Sequence, residues 1–301
     1  MKQQIDKNMT IVTGLWNINR VGRDFDHYIE CFKRFLDIPQ NLFIYIPKEY
    51  EHIVWEKRDK SNTEVYVMEL SDLKRLYEPF WDRTQQIRTS DVWLDSAGWL
   101  RDSPQASNMW YNPIVQSKMF LLNDATCFNP FNTDYFYWLD AGITNTVDYH
   151  LLVNENILEK LTTVCNKFLF LSYPYEKRPE VHGFEINSLN RYAGQEVKYV
   201  CRGGLFGGKK QQINNANAAY YTLLDRTCNE DLMGTEESIF TIMSYLDPSL
   251  YQRFELDITG HIVKFALALR DNNVTFSEVE NNYITESTDN YARKIKTNLY
   301  I

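Results

Sequence analysis

Residues Tyr135-Phe136-Tyr137-Trp138-Leu139-Asp140-Ala141-Gly142 decide the fold. Five uninterrupted apolar residues read as a buried strand of an α/β sheet, and the run stops at Asp-Ala-Gly. That places a carboxylate at the carboxyl edge of the sheet, where open α/β folds bind ligands. Gly142 removes a side chain that would obstruct a close diphosphate. A hard divalent cation, Mn²⁺ or Mg²⁺, held by carboxylate oxygens neutralises the charge that develops on a departing diphosphate. The same spacing fits a carboxylate that only caps the turn at Ile143.

Upstream, Met9–Gly14 reads as a buried strand ending in a glycine turn, followed by the polar, basic residues 17–23. From a cap at Asp24, the apolar positions Phe25, Tyr28, Ile29, Phe32, Phe35 and Leu36 recur at helical spacing until Pro39. Strands at Asn41–Ile46 and 63–68 and a helix at Leu70–Leu76 give the order β-α-β-β-α. Residues 81–113 mix aromatic, polar and small side chains and read as a long functional loop, of which 83–113 is placed to close over a ligand as a lid. A helix over 114–123, a turn at Asn129-Pro130, a helix near 155–165 and a strand over 167–172 complete the pattern.

The fold class that follows is α/β: an open, mainly parallel mixed sheet flanked by helices, in one Rossmann-like nucleotide-binding domain. No repeat or linker divides residues 1–276; residues 277–301 are polar and Asn-rich, a tail or the start of a further region.

At 301 residues and 44% hydrophobic, the chain buries one substantial core. Five scattered cysteines without a CxxC pair argue against a disulfide framework and fit a reducing cytoplasm. With neither a secretory signal nor a spanning apolar run, membrane contact is expected to be at most peripheral. A net charge of −8 opposes attraction to nucleic acid. Seven Trp and twenty Tyr supply a ring-rich core first and sugar-stacking surfaces second.

Two further motifs carry chemistry. In Gly203-Gly204-Leu205-Phe206-Gly207-Gly208-Lys209-Lys210, four glycines let backbone amides approach a ligand, and the helix that follows points its N-terminus at the same place. The order is neither a Walker A loop nor a dinucleotide fingerprint. In Gly234-Thr235-Glu236-Glu237-Ser238, two adjacent carboxylates begin a helix, either as a charged first turn or with one acid directed into a cleft. His182 and His261 sit beside glycines, where a ligand has access. No HExxH or GxSxG motif anchors a hydrolase.

The runs Gly98 to Gln105, Tyr111-Asn112-Pro113 through Ser117-Lys118-Met119, Asn129 to Asp134, Asp140 to Thr144 and Gly234 to Phe240 resemble the bacterial HtrL/YibB family. That likeness covers most of the chain to about Tyr245 and implies a glycosyltransferase-like protein of surface-polysaccharide assembly. The order strand-Asp, Gly-x-Phe-Gly-Gly before a helix, then acid-Glu-Ser is similar to GT-A transferases of the blood-group A/B type. This resemblance implies Asp140 as a metal or ribose ligand, Gly207 and Gly208 as sugar-site backbone, and Glu237 as nucleophile beneath the anomeric carbon, with Glu236 beside it. Gly142 stands where those enzymes carry a second carboxylate, so either a metal needs another ligand, for which His261 is the candidate, or none is used.

The function so implied is transfer of a sugar from a nucleoside-diphosphate donor to a glycan or lipid-linked acceptor, with retention. Thr13, Gly14 and Leu15 are expected at the nucleotide, Arg20 or Arg23 at the diphosphate, and Arg101 and Lys118 as further donor contacts. The rival expectations are a carbohydrate-binding assembly protein without turnover and a phage-type enzyme acting on modified nucleic acid. Donor sugar, base, acceptor and oligomeric state are not encoded in these spacings.

Overall fold

The computed structural model describes residues 8–20, 22, 24–176 and 178–277. Arg23 and residues 278–301, part of the expected tail, lie outside them. The strands are β1 (Met9–Gly14), β2 (Asn41–Ile46), β3 (Thr63–Val67), β4 (Tyr135–Leu139), β5 (Phe168–Pro174), β6 (Glu180–Val181), β7 (Phe184–Glu185), β8 (Tyr199–Lys209) and β9 (Tyr251–Glu255). Seven form the main sheet in the order β3-β2-β1-β4-β8-β5-β9, and β6 pairs with β7 as a separate hairpin. Every neighbouring pair in the main sheet is parallel except those made by β8. This is the open, mainly parallel mixed sheet expected.

Side chains alternate across each strand, so the two faces bury separate cores. Phe136 and Trp138 of β4 join Val12, Phe43, Phe170 and Phe206 under the helices Tyr111–Phe128, Lys210–Asn229 and Glu236–Leu246. Tyr137 and Leu139 join Ile11, Ile44, Leu169 and Leu205 under the helices Phe25–Phe35 and Val263–Arg270. Covered on both sides, β2 is buried at all six residues, which is why it reads as a continuous apolar run.

Three expectations are corrected. A one-turn helix, Glu51–Trp55, separates β2 from β3; the two strands are parallel and need a crossover, but five residues are too few to show a period. Residues 81–113 are not one long loop. Much of the stretch lies in the helices Glu78–Arg88, Asp91–Leu94, Pro104–Ser107 and the start of Tyr111–Phe128 and in the 3-10 turn Leu100–Asp102, joined by short turns. Phe80, Trp81, Ile87, Trp93 and Leu100 anchor them in the core, and the Trp93 indole donates to the Met233 carbonyl at 2.9 Å. Each piece is at most eleven residues before the last helix, so no long 3.6-residue repeat announces them.

The glycine-rich stretch is the third. Residues 203–209 belong to β8, in the middle of the sheet, rather than to a loop. Gly207 has φ +146°, and a β-carbon there would stand 2.3 Å from the Phe136 carbonyl oxygen. Glycine is therefore required by close strand approach. Because β8 runs antiparallel to β4, Gly207 and Gly208 oppose Tyr137 and Phe136, toward the amino end of β4. The following helix, Lys210–Asn229, starts at that same far edge.

The other end of the glycine stretch bulges. β5 pairs Phe170 with Phe206 but Leu171 with Arg202, so residues 203–205 leave that ladder. Such bulges re-aim backbone beside functional sites.

Candidate active site

β1 pairs with β2 on one side and β4 on the other, all parallel, so the chain order reverses between β1 and β4. The carboxyl ends of these strands diverge there, forming the crevice in which open sheets bind ligands. A cavity of about 480 Å³ occupies it, lined among others by Gly14, Trp16, Tyr28, Lys118, Asp140 and Gly142. A smaller cavity of about 180 Å³ adjoins it, shares Gly14, Leu15 and Trp16, and adds Arg20 and Tyr111. The Arg20 guanidinium lies 4.9 Å from the Tyr111 ring centre, and its Nε has no hydrogen-bond partner.

Behind the larger cavity lies an ion cluster built from three elements. Lys118 comes from the helix Tyr111–Phe128, Asp140 follows β4, and Glu236 opens the helix Glu236–Leu246. The Lys118 ammonium is 2.9 Å from Asp140 Oδ1, 2.9 Å from Glu236 Oε1 and 3.2 Å from the Gly203 carbonyl oxygen. These three acceptors match its three protons. The Trp138 indole donates to Asp140 Oδ1 at 2.7 Å and fixes that carboxylate. The bulge makes the room: a β-carbon on Gly203 would stand 2.0 Å from Glu236 Oε1.

Glu237, the next residue, points into a second set of partners. It accepts from the Gly203 amide at 2.9 Å, lies 2.8 Å from His182 Nε2 and stands 3.7 Å from Arg202 Nη1. His182 sits in the β6–β7 turn at φ +50°, with the Tyr173 hydroxyl 3.2 Å from the same nitrogen. Both carboxylates do occupy a helix first turn, as the simpler reading of the motif requires, but both are also drawn into this cluster.

The two acids titrate in opposite directions. Burial, with help from Glu237 and Asp140, raises the Glu236 carboxyl against the pull of Lys118. Burial pushes Glu237 the same way, but His182, Arg202 and the Gly203 amide outweigh it and hold its carboxyl well below the ordinary range. Burial disfavours the Lys118 ammonium, yet Asp140 and Glu236 overcome that and raise it. Burial likewise opposes the His182 imidazolium, and Glu237 overcomes it, so His182 is raised above 6.5.

A direct consequence is measurable. Glu237→Gln removes the carboxylate and leaves burial and Arg202, both of which disfavour imidazolium, against the weaker pull of Glu236. The His182 pKa, read from imidazole NMR shifts, is expected to fall from above 6.5 in the parent to below it in the variant. An unchanged titration would show that Glu237 is not its counter-ion.

Of the expected site residues, Gly14, Leu15, Lys118, Asp140 and Gly142 line the larger cavity, and Arg20 lines the smaller. Thr13 is fully buried in β1 and lines neither. Arg101 is elsewhere, on the surface, paired with Asp91 at 3.0 Å and Asp95 at 2.6 Å. Gly207 and Gly208 lie toward the opposite sheet edge, and it is Gly203 and Gly204 that reach the site: the Asp140 amide donates to the Gly204 carbonyl at 3.0 Å. His261 is exposed and lines neither cavity.

Arg202 and Trp138 were not among the site residues expected from the sequence, whereas His182 was marked by its neighbouring glycine. The signal for His182 was the His-Gly pair, since a histidine at positive φ followed by glycine marks a tight turn that fixes the ring.

The residues present do not fit a protein-held divalent ion. Among the described residues, no group of three or more His, Cys, Asp or Glu side chains is placed to hold one. The Asp140 oxygens already accept from Lys118 and Trp138, and Lys118 stands between Asp140 and Glu236. Elsewhere, all five cysteines are free, and among the described residues no helix is long and apolar enough to cross a membrane.

Among curated proteins, none matches the sequence. Of solved structures, 4-diphosphocytidyl-2C-methyl-D-erythritol synthase from Anaerococcus prevotii DSM 20548 superposes with a TM-score of 0.38 and 10% identity, over 88% of this chain and 96% of that one. The family described as "Bacterial protein of unknown function (HtrL_YibB)" matches residues 5–266, a span that includes both cavities and the whole ion cluster. The chain therefore belongs to the HtrL_YibB family.

Proposed function

We propose that this protein is a retaining glycosyltransferase that takes a sugar from a nucleoside-diphosphate donor. The observation that carries the reading is the large cavity at the β1–β4 divergence, backed by the Lys118–Asp140–Glu236 cluster with Glu237 beside it. The nucleotide would lie against Gly14 and Leu15, with its diphosphate toward Lys118 and the open guanidinium of Arg20. Arg20 is then the cation that meets the leaving group directly, because the Lys118 protons are already engaged.

In the reaction, the bond between the anomeric carbon and the diphosphate oxygen breaks, and its electron pair leaves with the diphosphate. Glu237, held anionic by His182 and Arg202, forms a bond to that carbon from the other face. An acceptor hydroxyl then displaces the carboxylate and restores the configuration; its proton passes to the departed diphosphate.

The test is a thermal-shift screen of UDP-, GDP-, ADP- and dTDP-sugars, each in EDTA, Mn²⁺ and Mg²⁺, followed by assay of nucleotide release. A donor at about a hundred times its Kd stabilises by about 2.7 kcal/mol, enough to raise Tm by several degrees. Stabilisation in EDTA is expected from the side chains present. A shift seen only with Mn²⁺ or Mg²⁺ would reinstate the metal, and no shift with any donor would remove the reading. Stabilisation without nucleotide release, for any acceptor offered, would leave a nucleotide-sugar-binding protein of polysaccharide assembly.

A further inference from the structure

Separate from the two adjoining cavities at the β1–β4 divergence, taken together as the first, a second of about 250 Å³ lies across β8. Its wall includes His182 and Arg202, the two cationic partners of Glu237. Along β8, Arg202 faces this cavity, Gly203 donates to Glu237, and Gly204 faces the first cavity. The segment after β9 makes the same bridge, with Ile258 and Thr259 in the second and Ile262 in the first. Two molecules, one in each cavity, would therefore approach each other across Gly203, next to Glu237.

We propose that the second cavity is a binding cleft for an uncharged saccharide, which serves as the acceptor. The acceptor role rests on the function proposed above; saccharide binding as such does not.

Three rings are held there by their polar edges. Trp99 is 42% exposed, and its indole donates at 3.0 Å to the buried carboxylate of Glu180, whose other oxygen accepts from the Gly183 amide at 2.8 Å. The Tyr175 hydroxyl donates to the Arg178 carbonyl and accepts from the Arg178 amide at 2.9 Å. Arg202 covers one side of Tyr173 at 4.3 Å from the ring centre. Rings fixed in this way offer apolar faces to the C–H face of a sugar with little ordering cost, and polar groups at their margins suit its hydroxyls.

Charge settles which class of ligand fits. Among the described lining residues, Arg178 pairs with Glu176 at 3.1 Å, while Arg202 and His182 share Glu237. Glu180 has its two oxygens occupied by donors. Three cations, Arg178, Arg202 and His182, thus face three carboxylates, Glu176, Glu180 and Glu237, so the cleft carries no net positive charge to draw an anion. A phosphate or carboxylate would need such a charge; a neutral sugar would not.

The experiment is calorimetric titration and saturation-transfer NMR of the full chain with lactose, maltose and N,N′-diacetylchitobiose, and with glucose 6-phosphate as the charged probe. UDP, GDP, ADP and dTDP are titrated in parallel. At least one neutral disaccharide is expected to bind, with its C–H face saturated from aromatic protons. Trp99→Ala and Tyr175→Ala are each expected to weaken it about tenfold, while nucleotide affinity stays within about twofold, because the two cavities share no lining residue. Trp99→Phe keeps a ring face and is expected to retain most of the affinity.

Failure of all three neutral disaccharides to bind overturns the proposal. So does tighter binding of glucose 6-phosphate, or saccharide affinity unchanged in both alanine variants. Nucleotide binding without saccharide binding defeats this inference alone. Saccharide binding without any nucleotide binding defeats the donor reading and leaves the cleft standing.

Discussion

Lys118→Met is expected to lower the unfolding free energy by about 3–5 kcal/mol at pH 8, the usual cost of leaving a buried charge without its partner. Methionine fills nearly the same volume, so packing is not what is lost. What remains is Glu236, with only 4% of its side chain exposed, beside Glu237 and Asp140 and without its cation. Asp140 is 40% exposed and still accepts from Trp138, so most of the cost falls on Glu236.

The pH dependence of that loss follows from the same geometry. Burial already raises the Glu236 carboxyl above its unfolded value of 4.5, and removing Lys118 raises it further. A carboxyl raised in the folded state contributes stability that is fully present below the unfolded pKa and is lost as pH rises through the folded one. The deficit of Lys118→Met should therefore be smaller at pH 5 than at pH 8. Adding Glu236→Gln, which removes the orphaned charge, should recover most of it. Urea unfolding at the two pH values reads both effects. A deficit below about 1 kcal/mol, or one equal at both pH values, would mean that solvent compensates Glu236 and that the cluster is not a closed one.

The sheet was legible because its strands are buried on both faces. Met9–Gly14, Asn41–Ile46 and Tyr135–Leu139 are nearly uninterrupted apolar runs, and no alternative period competes with them. Asp140 was legible for the same reason, being the first polar residue after such a run. What local pattern could not show was the direction of β8. Glycines in sequence announce freedom, and a loop is the usual place to spend it; here close approach to β4 consumes it inside a strand. That single difference moved Gly207 and Gly208 away from the site and brought Gly203 and Gly204 to it.

Long-range pairing explains the remaining gaps. Lys118 looked like a surface lysine on its own helix, and only the arrival of Glu236 from more than a hundred residues away turns it into a buried ion. Arg101, with an equally plausible setting in sequence, is taken up by Asp91 and Asp95 on the surface instead. Arg202 and His182 acquire meaning only through Glu237, to which one comes from the bulged strand and the other from the β6–β7 turn.

Glu237→Gln is expected to lower kcat about a thousandfold, equivalent to about 4 kcal/mol of barrier, with donor Kd within about threefold of the parent. Two features separate these effects. The nucleotide contacts, at Gly14, Leu15 and Arg20, do not involve Glu237, so most of the donor affinity is kept, and glutamine still offers a carbonyl oxygen to the Gly203 amide. The fold is therefore kept. The amide, however, is a far poorer nucleophile toward the anomeric carbon, and it cannot stabilise positive charge there. Calorimetry of donor binding, single-turnover kinetics and NMR of the parent's product provide three independent readings. If Glu237 is the nucleophile, the parent gives a product of retained configuration and the variant binds donor without turning it over. An inverted product, or a variant within tenfold of the parent, would confine Glu237 to holding His182 and Arg202 in place, and the attacking group would have to be the acceptor hydroxyl itself.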